Sequence, residues 1–159
     1  MPRLSMQSPL GQITLFEEDG KIISLRWAAG CRDASQPPEE TPLLRRAQRQ
    51  LEAYFKGRRQ RFDLPLAPAG TTFQKTVWQA MSQIPHGETR SYGHLAKDLK
   101  SGPRAVGGAC ARNPIPVLIP CHRVLGAHGA LGGYSARGGV ATKRRLLALE
   151  AGTPAGTAP

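Results

Sequence analysis

The stretch RAVGGACARNPIPVLIPCHRV, residues 104–124, contains the features that decide how the second half of the chain folds. Pro103 precedes it and suits the first position of a helix, where its missing N–H is not needed. The helix carries two adjacent glycines, each costing ~1 kcal/mol relative to alanine. Behind the helix an apolar run rich in proline leads to Cys121, which His122 and Arg123 follow directly.

The residues before this stretch predict a second short helix. Ser91 is a suitable N-cap, and apolar residues follow it up to Leu99. The segment KSGP, residues 100–103, makes a tight connection to the glycine-rich helix, and such a pair is typical of a helix-turn-helix. The second helix has few large polar side chains with which to read a major groove. Its small-residue face fits either the narrow minor groove of DNA or close packing against another helix.

The first third of the chain predicts a small antiparallel sheet and one helix. Residues 12–16 and 21–27 alternate apolar and polar side chains, and Asp19-Gly20 between them is a hairpin signal. Residues 3–8 predict a third strand. Thr41 and Pro42 then predict a helix start.

Apolar spacing predicts further helices in the second half. Thr72 is the expected N-cap of a helix whose buried face carries Phe73, Val77, Trp78 and Met81. A basic helix is expected over residues 140–152. The fold class is therefore α+β, with an N-terminal domain over 1–70, a mostly helical domain over 71–152 and a flexible tail over 153–159.

Charge and composition narrow the function classes. The net charge of the chain is +11. Residues 71–159 contribute most of it, because they carry 11 basic and only 3 acidic side chains. Such asymmetry indicates a polyanion partner, although a charged surface that only aids solubility is an open alternative. Three cysteines without metal-ligand spacing favour neither a disulfide framework nor a metal site. With no signal sequence and no long apolar run, we expect a cytoplasmic protein without membrane contact.

Cys121 is the candidate nucleophile. A thiol reacts as thiolate, which needs a nearby base or positive charge. His122 is adjacent, but neighbouring side chains on extended backbone point apart, so we expect coupling through water. Glu150, at the end of an apolar helical stripe, is the expected acceptor that orients His122. The alternative is that Cys121 is a small buried apolar residue, the interpretation adopted for Cys110.

Several motifs resemble one family, the O6-alkylguanine-DNA alkyltransferases, also called methylated-DNA–protein-cysteine methyltransferases. The motifs are PCHRV (120–124) with RAVGGA upstream, residues 73–96, and GGYS (132–135). The resemblance is strong over about residues 71–152 and general before that. It implies a single-turnover DNA repair enzyme that flips O6-alkylguanine out of duplex DNA and transfers the alkyl group irreversibly to Cys121. Its partner is double-stranded DNA bound through the minor groove by a monomer, with no cofactor.

The resemblance also implies roles for site residues. His122 is the water-mediated base, Glu150 orients it, and Asn113 braces the turn before the active site. Tyr92 pairs with a phosphate and donates toward the leaving base. Arg104 fills the gap left by the flipped nucleotide. We predict DNA contacts for Tyr92, Arg104, Ala105, Gly107, Gly108 and Arg112. The predicted substrate pocket comprises Pro116, Val124, Tyr134 and Ser135.

Two departures and three alternatives accompany the resemblance. The segment from Tyr92 to Arg104 is shorter than the family spacing, and the segment from Tyr134 to Lys143 is longer. Ser135 lies in the longer segment, so its role in the family does not transfer directly to this chain. A non-catalytic binder of the alkyltransferase-like type would lack the cysteine. A transcription regulator that senses alkylation would need a further module. A thiol hydrolase would use His122 as a direct base.

Overall fold

The computed structural model describes residues 2–27, 40–126, 129–131 and 139–152. The strands are β1 (Arg3–Ser8), β2 (Gly11–Glu18), β3 (Lys21–Trp27), β4 (Arg90–Ser91) and β5 (Val124–Leu125). The helices are α1 (Pro42–Phe55), α2 (Thr72–Ser82), α3 (Tyr92–Asp98), α4 (Pro103–Ala111), a 3-10 turn (Cys121–Arg123) and α5 (Val140–Glu150). The predicted α+β class is confirmed. Within the described ranges, every helix is too short or too polar to cross a membrane.

The N-terminal sheet has the predicted antiparallel order β1-β2-β3. Its buried face comes from alternate apolar positions, such as Leu4 opposite Leu15 and Met6 opposite Ile13. Asp19 and Gly20 have φ values of 51° and 74°, so the hairpin closes through a turn in the left-handed region, as the dipeptide predicted.

Helix α1 starts where the sequence predicted. Thr41 Oγ1 accepts a hydrogen bond from the backbone N–H of Leu44, and Pro42 occupies the first turn. The helix contacts β1 and β2 with its apolar face. This packing places Tyr54, near its end, in the core with 1% of its surface exposed.

Helix α2 starts one residue earlier than predicted. Thr71, rather than Thr72, is the N-cap, because its side chain and that of Gln74 form a reciprocal capping box. Phe73 is 37% exposed, so its predicted place on the buried face is wrong: it lies in the first turn, before the buried residues Val77, Trp78 and Met81. Trp78 Nε1 donates to the carbonyl of Ala109 at 2.8 Å and so joins α2 to α4.

Helices α3 and α4 form the predicted helix-turn-helix arrangement. Ser91 caps α3 by accepting from the N–H of His94. Helix α4 buries Val106, Ala109 and Cys110 and ends at Ala111. The helix stops there because the Asn113 side chain bonds to the following loop and Pro114 disfavours helical backbone before it.

The core is continuous across the predicted domain boundary. Buried residues from the sheet, α1 and the second half belong to one cluster. The segment predicted as a linker pairs with β3: Ile22 donates to Pro65 and accepts from Ala67 at 2.9 Å each. Leu25 N–H also donates to the carbonyl of Pro114 at 3.0 Å. The sheet is therefore tied to the loop before Cys121, and the boundary near residue 70 stays a prediction.

Candidate active site

The loop before Cys121 is braced by one asparagine. Asn113 Nδ2 donates to the carbonyl of Ile119, and Asn113 Oδ1 accepts from the N–H of Ile115, each at 2.9 Å. Val117 at the tip has φ of 73°, a conformation costly for a β-branched residue. Asn113 is 7% exposed and thus holds this strained loop in the protein interior.

Cys121 begins the 3-10 turn at the end of this loop. Its backbone N–H donates to the carbonyl of Ile119 at 2.8 Å, and its side chain is 5% exposed. The turn replaces the extended backbone that the sequence suggested. The fixed backbone on both sides gives the thiol a defined position at the edge of the core.

Glu150, at the end of α5, accepts hydrogen bonds from three residues in two parts of the chain, α1 and the 3-10 turn. Its Oε2 lies 2.6 Å from His122 Nε2 and 2.6 Å from the hydroxyl of Tyr54. Arg123 donates from Nε to Oε1 at 2.7 Å and from Nη2 to Oε2 at 2.9 Å. Arg123 Nη1 also donates to the carbonyl of Ile84 at 2.7 Å. We call Tyr54, His122, Arg123 and Glu150 the Glu150 cluster.

The cluster defines the charge state of His122. Burial by itself disfavours a charged Glu150, but hydrogen bonds from His122 and Arg123 hold the pKa of the carboxyl well below its usual value. Burial lowers the pKa of His122, with Glu150 opposing the shift, and we take the imidazole to be neutral because Arg123 already balances the carboxylate.

A carboxylate only accepts, so His122 Nε2 carries the hydrogen. Nδ1 is buried and has no hydrogen-bond partner among the described residues. His122 Nδ1 is therefore the nitrogen with a lone pair available to accept a proton.

A second group of titratable side chains surrounds the thiol. Lys143, in α5, is 0% exposed, and its Nζ has no hydrogen-bond partner in the described part of the chain. It lies 5.7 Å from the ring centroid of Tyr92. Burial lowers the pKa of Lys143, and the nearby side chains of Cys121 and Cys110 oppose this shift. Burial of an ammonium group without a hydrogen-bond partner costs free energy. Such a side chain is typical of functional sites, so Lys143 is a candidate functional residue.

Tyr92 and Cys110 are protonated in this environment. Burial raises the pKa of Tyr92 to about 12, with smaller contributions from Cys110 and Cys121. Burial also raises the pKa of Cys110 to about 12, and its thiol lies 3.3 Å from Met81 Sδ. Tyr92 can thus act as a proton donor, whereas Cys110 is a poor nucleophile.

The outer face of α4 presents a small-residue surface. Arg104, Ala105 and Gly108 are exposed, Gly107 is half-buried, and Arg112 follows the helix in an exposed position. A Cβ added to either glycine would meet nothing within 4 Å, so neither is required by packing within the protein. This observation weighs against the internal helix-packing interpretation of the two glycines and favours an external surface.

Comparison with known proteins identifies the family. The family model for the 6-O-methylguanine DNA methyltransferase DNA-binding domain matches residues 72–152, and that for the ribonuclease-like domain of the same proteins matches residues 3–68. The chain belongs to the 6-O-methylguanine DNA methyltransferase family.

Proteins of similar sequence match most of the length of this methyltransferase. A methylated-DNA–protein-cysteine methyltransferase of Methanosarcina acetivorans is 45% identical over 127 residues, covering 77% of this chain and 81% of the relative. One from Mycolicibacterium paratuberculosis is 42% identical over 150 residues, covering 92% and 90%. The crystal structure of Mycobacterium tuberculosis OGT in complex with DNA superposes with a TM-score of 0.87 at 40% identity, covering 98% of this chain and 97% of the other.

The methyltransferase fold brings the predicted catalytic residues together with two of the predicted pocket residues. Cys121, His122, Glu150 and Asn113 lie around one loop end, and Cys121 lies near enough to Tyr92 to contribute to the raised pKa of its hydroxyl. Pro116 and Val124 are buried along the same segment. Tyr134, Ser135 and the following residues of the longer segment up to 138 lie outside the described residues. Among the described residues, no group of three or more His, Cys, Asp or Glu side chains is arranged to hold a metal ion.

Sequence reasoning missed three residues of the methyltransferase site. Lys143 has a readable signal, because it lies on the apolar stripe of α5 with Leu146 and Glu150. Arg123 has a weaker one: a buried carboxylate needs a cation, and this arginine directly follows His122. Tyr54 has none, since its contact with Glu150 joins residues 96 apart.

Proposed function

We propose that the protein repairs O6-alkylguanine in duplex DNA by moving the alkyl group to Cys121 Sγ. The observation that supports this most directly is the thiol held beside a buried His122–Glu150 pair. The relatives named above carry the same activity in their names. The activity proceeds once per protein molecule, because the thioether product has no leaving group that water would readily displace.

The transfer begins with the removal of the thiol proton of Cys121. His122 Nδ1 accepts the thiol proton through a bridging water molecule, and Glu150 keeps the imidazole oriented and its Nε2 protonated. The thiolate attacks the alkyl carbon, a C–S bond forms, and the bond between that carbon and O6 breaks. The electron pair of the broken bond remains on the guanine, which takes up a proton. Tyr92, protonated at neutral pH, is the proposed donor of that proton.

DNA binding in this proposal uses the exposed face of α4. Its small residues approach the minor groove, and the space outside Gly107 and Gly108 is open, since a Cβ added at either would meet no protein atom within 4 Å. Arg104 at the start of α4 is exposed and occupies the space left by the flipped nucleotide. Base extrusion costs a few kcal/mol, which phosphate contacts and an inserted side chain partly offset. Arg112 contacts the phosphate backbone, and the monomeric state and cytoplasmic location are part of the same proposal.

The substrate pocket is proposed to form around the described residues Pro116 and Val124 together with Tyr134 and Ser135. The backbone carbonyls of Cys121 and Val124 are its proposed acceptors for the exocyclic amine of the base. The alternative of a non-catalytic alkylated-DNA binder is not favoured, because Cys121 is present and the curated relatives are named as methyltransferases.

Duplex DNA with a radiolabelled O6-methyl group tests the proposal. We expect the label to move to the protein in a one-to-one ratio and to stop there. Label that remains on DNA would support a binder, and label released to water would support a hydrolase; either result overturns the proposal.

A further inference from the structure

Tyr54 connects the N-terminal region to the proposed reaction centre. It belongs to α1, is 1% exposed, and donates its hydroxyl hydrogen to Glu150 Oε2 at 2.6 Å. Helix α1 packs against β1 and β2, and Tyr54 lies in its last turn, so this hydrogen bond joins the end of the helix to Glu150.

The hydroxyl of Tyr54 competes for the oxygen that holds His122. Glu150 Oε2 accepts from Tyr54, from His122 Nε2 at 2.6 Å and from Arg123 Nη2 at 2.9 Å. Each donor stabilises the carboxylate and weakens its attraction for the hydrogen on His122. The strength of the Tyr54 bond therefore affects how readily His122 becomes an imidazolium.

Packing fixes the direction of the hydroxyl. The Tyr54 ring lies edge-on to Phe55 at 5.4 Å and to His86 at 6.1 Å, and it is tilted against Phe62 at 5.2 Å. A phenylalanine ring would keep these contacts and lose only the hydroxyl. The bond can thus be removed without removing the packing.

We propose that Tyr54 is a positioning residue for alkyl transfer, which holds the Glu150 carboxylate and so sets the proton affinity of His122. The inference rests on the proposed function only where alkyl transfer is the readout. It assigns to α1 a direct influence on the chemistry at Cys121.

Two further titratable side chains act on the Glu150 cluster. His86, from the loop after α2, has its pKa lowered by burial and is influenced by Glu150, Arg123 and His122. Lys143, from α5, also acts on His122, lowering its pKa. All of these groups remain in a Tyr54→Phe variant, so a shift in that variant reports the lost hydroxyl.

The direction of the effect follows from the hydrogen bonds. Without the Tyr54 hydroxyl, the carboxylate binds the hydrogen of His122 more strongly, and the pKa of His122 rises. Less neutral imidazole is then present in mild acid. A hydrogen bond to a charged group stabilises it by somewhat more than the free energy of one pKa unit. Part of the stabilisation lost from the carboxylate is regained in a stronger bond to His122, which favours the imidazolium. We therefore expect the acidic limb of the rate profile to move up by about one pH unit.

The experiment compares full-length wild type, Tyr54→Phe and Gln50→Ala. Gln50 is a matched control: it is buried on α1 and exchanges two hydrogen bonds with the Asp63 backbone, at 3.2 and 2.9 Å, away from Glu150. Rates of methyl transfer from O6-methylguanine duplex are measured between mildly acidic and mildly alkaline pH. In parallel, the rate of Cys121 alkylation by iodoacetamide is followed by peptide mass spectrometry.

The expected result is a shifted acidic limb for Tyr54→Phe in both assays and convergence with wild type at alkaline pH. Gln50→Ala should lose stability without moving the limb. An unshifted profile for Tyr54→Phe, or a loss of equal size at every pH, overturns the inference. A wild type that accepts no methyl group overturns the proposed function instead, and the iodoacetamide profiles still decide the role of Tyr54.

Discussion

Replacing Glu150 with glutamine tests whether the Glu150 cluster holds the site together. The carboxylate accepts four hydrogen bonds, from Tyr54, from His122 and two from Arg123. Glutamine has one carbonyl oxygen, and its NH₂ group would face donors. Arg123, 6% exposed, would then be a buried cation without its counter-charge.

The magnitude follows from this loss. Removing one partner of a buried ion pair costs about 3–5 kcal/mol. In a chain of this length each kcal/mol lowers the melting temperature by roughly 2–4 °C, so we expect a decrease of about 6–20 °C. The Glu150→Gln variant should still fold, because the free energy of unfolding of a domain is about 5–15 kcal/mol.

The loss also depends on pH. The pKa of Glu150 is lowered on folding, so its stabilising contribution is fully present above the unfolded pKa of about 4.3. The contribution is lost as the pH falls from there toward the folded pKa. The gap between wild type and Glu150→Gln should therefore be constant near neutral pH and narrow below about pH 4.

Urea denaturation at several pH values measures this gap. Glu88→Gln is the matched control, since Glu88 is an exposed acid paired with Arg90 at 3.2 Å, and such surface pairs contribute about 0–1 kcal/mol. If Glu150→Gln costs no more than Glu88→Gln, or if the gap does not narrow in acid, the structural reasoning about the cluster is wrong.

Three further predictions concern the transfer itself. Cys121→Ala should abolish methyl uptake and leave DNA affinity in a gel-shift assay within about threefold, since binding depends on charge and on α4. Arg104→Ala should slow repair of duplex DNA at least about tenfold more than dealkylation of the free base, because only the duplex needs a gap filled; equal losses in single-turnover rates would contradict this role. Lys143→Met should keep or raise the melting temperature, because it removes a buried charge, and should slow methyl transfer by about tenfold or more. The control Lys21→Met, at the exposed start of β3, should change neither the melting temperature nor the transfer rate.

Local patterns predicted the fold well where short-range chemistry decides it. The hairpin at Asp19-Gly20 and the caps at Thr41 and Ser91 depend on residues within one turn, and all three are as expected. The start of α2 was misplaced because Thr71 and Thr72 are equally good caps on their own. Gln74, three residues after Thr71, completes the capping box and decides between them.

The site was only partly predictable for a different reason. Cys121 and His122 are adjacent in sequence, and Glu150 stands out because acids are scarce after residue 70. The contact of Tyr54 with Glu150 arises from packing between α1 and the second half, which leaves no periodic trace in either segment. The turn at Cys121 was also not foreseen, since it depends on the Asn113 brace closing the loop before it.

Intact-protein mass spectrometry after incubation with O6-methylguanine duplex shows directly whether the protein itself takes the methyl group. We expect that each protein molecule gains one methyl group in place of one hydrogen, that peptide mapping places it on Cys121, and that a second dose of substrate adds nothing. An unchanged protein mass, or a methyl group on any residue other than Cys121, would contradict the proposed transfer.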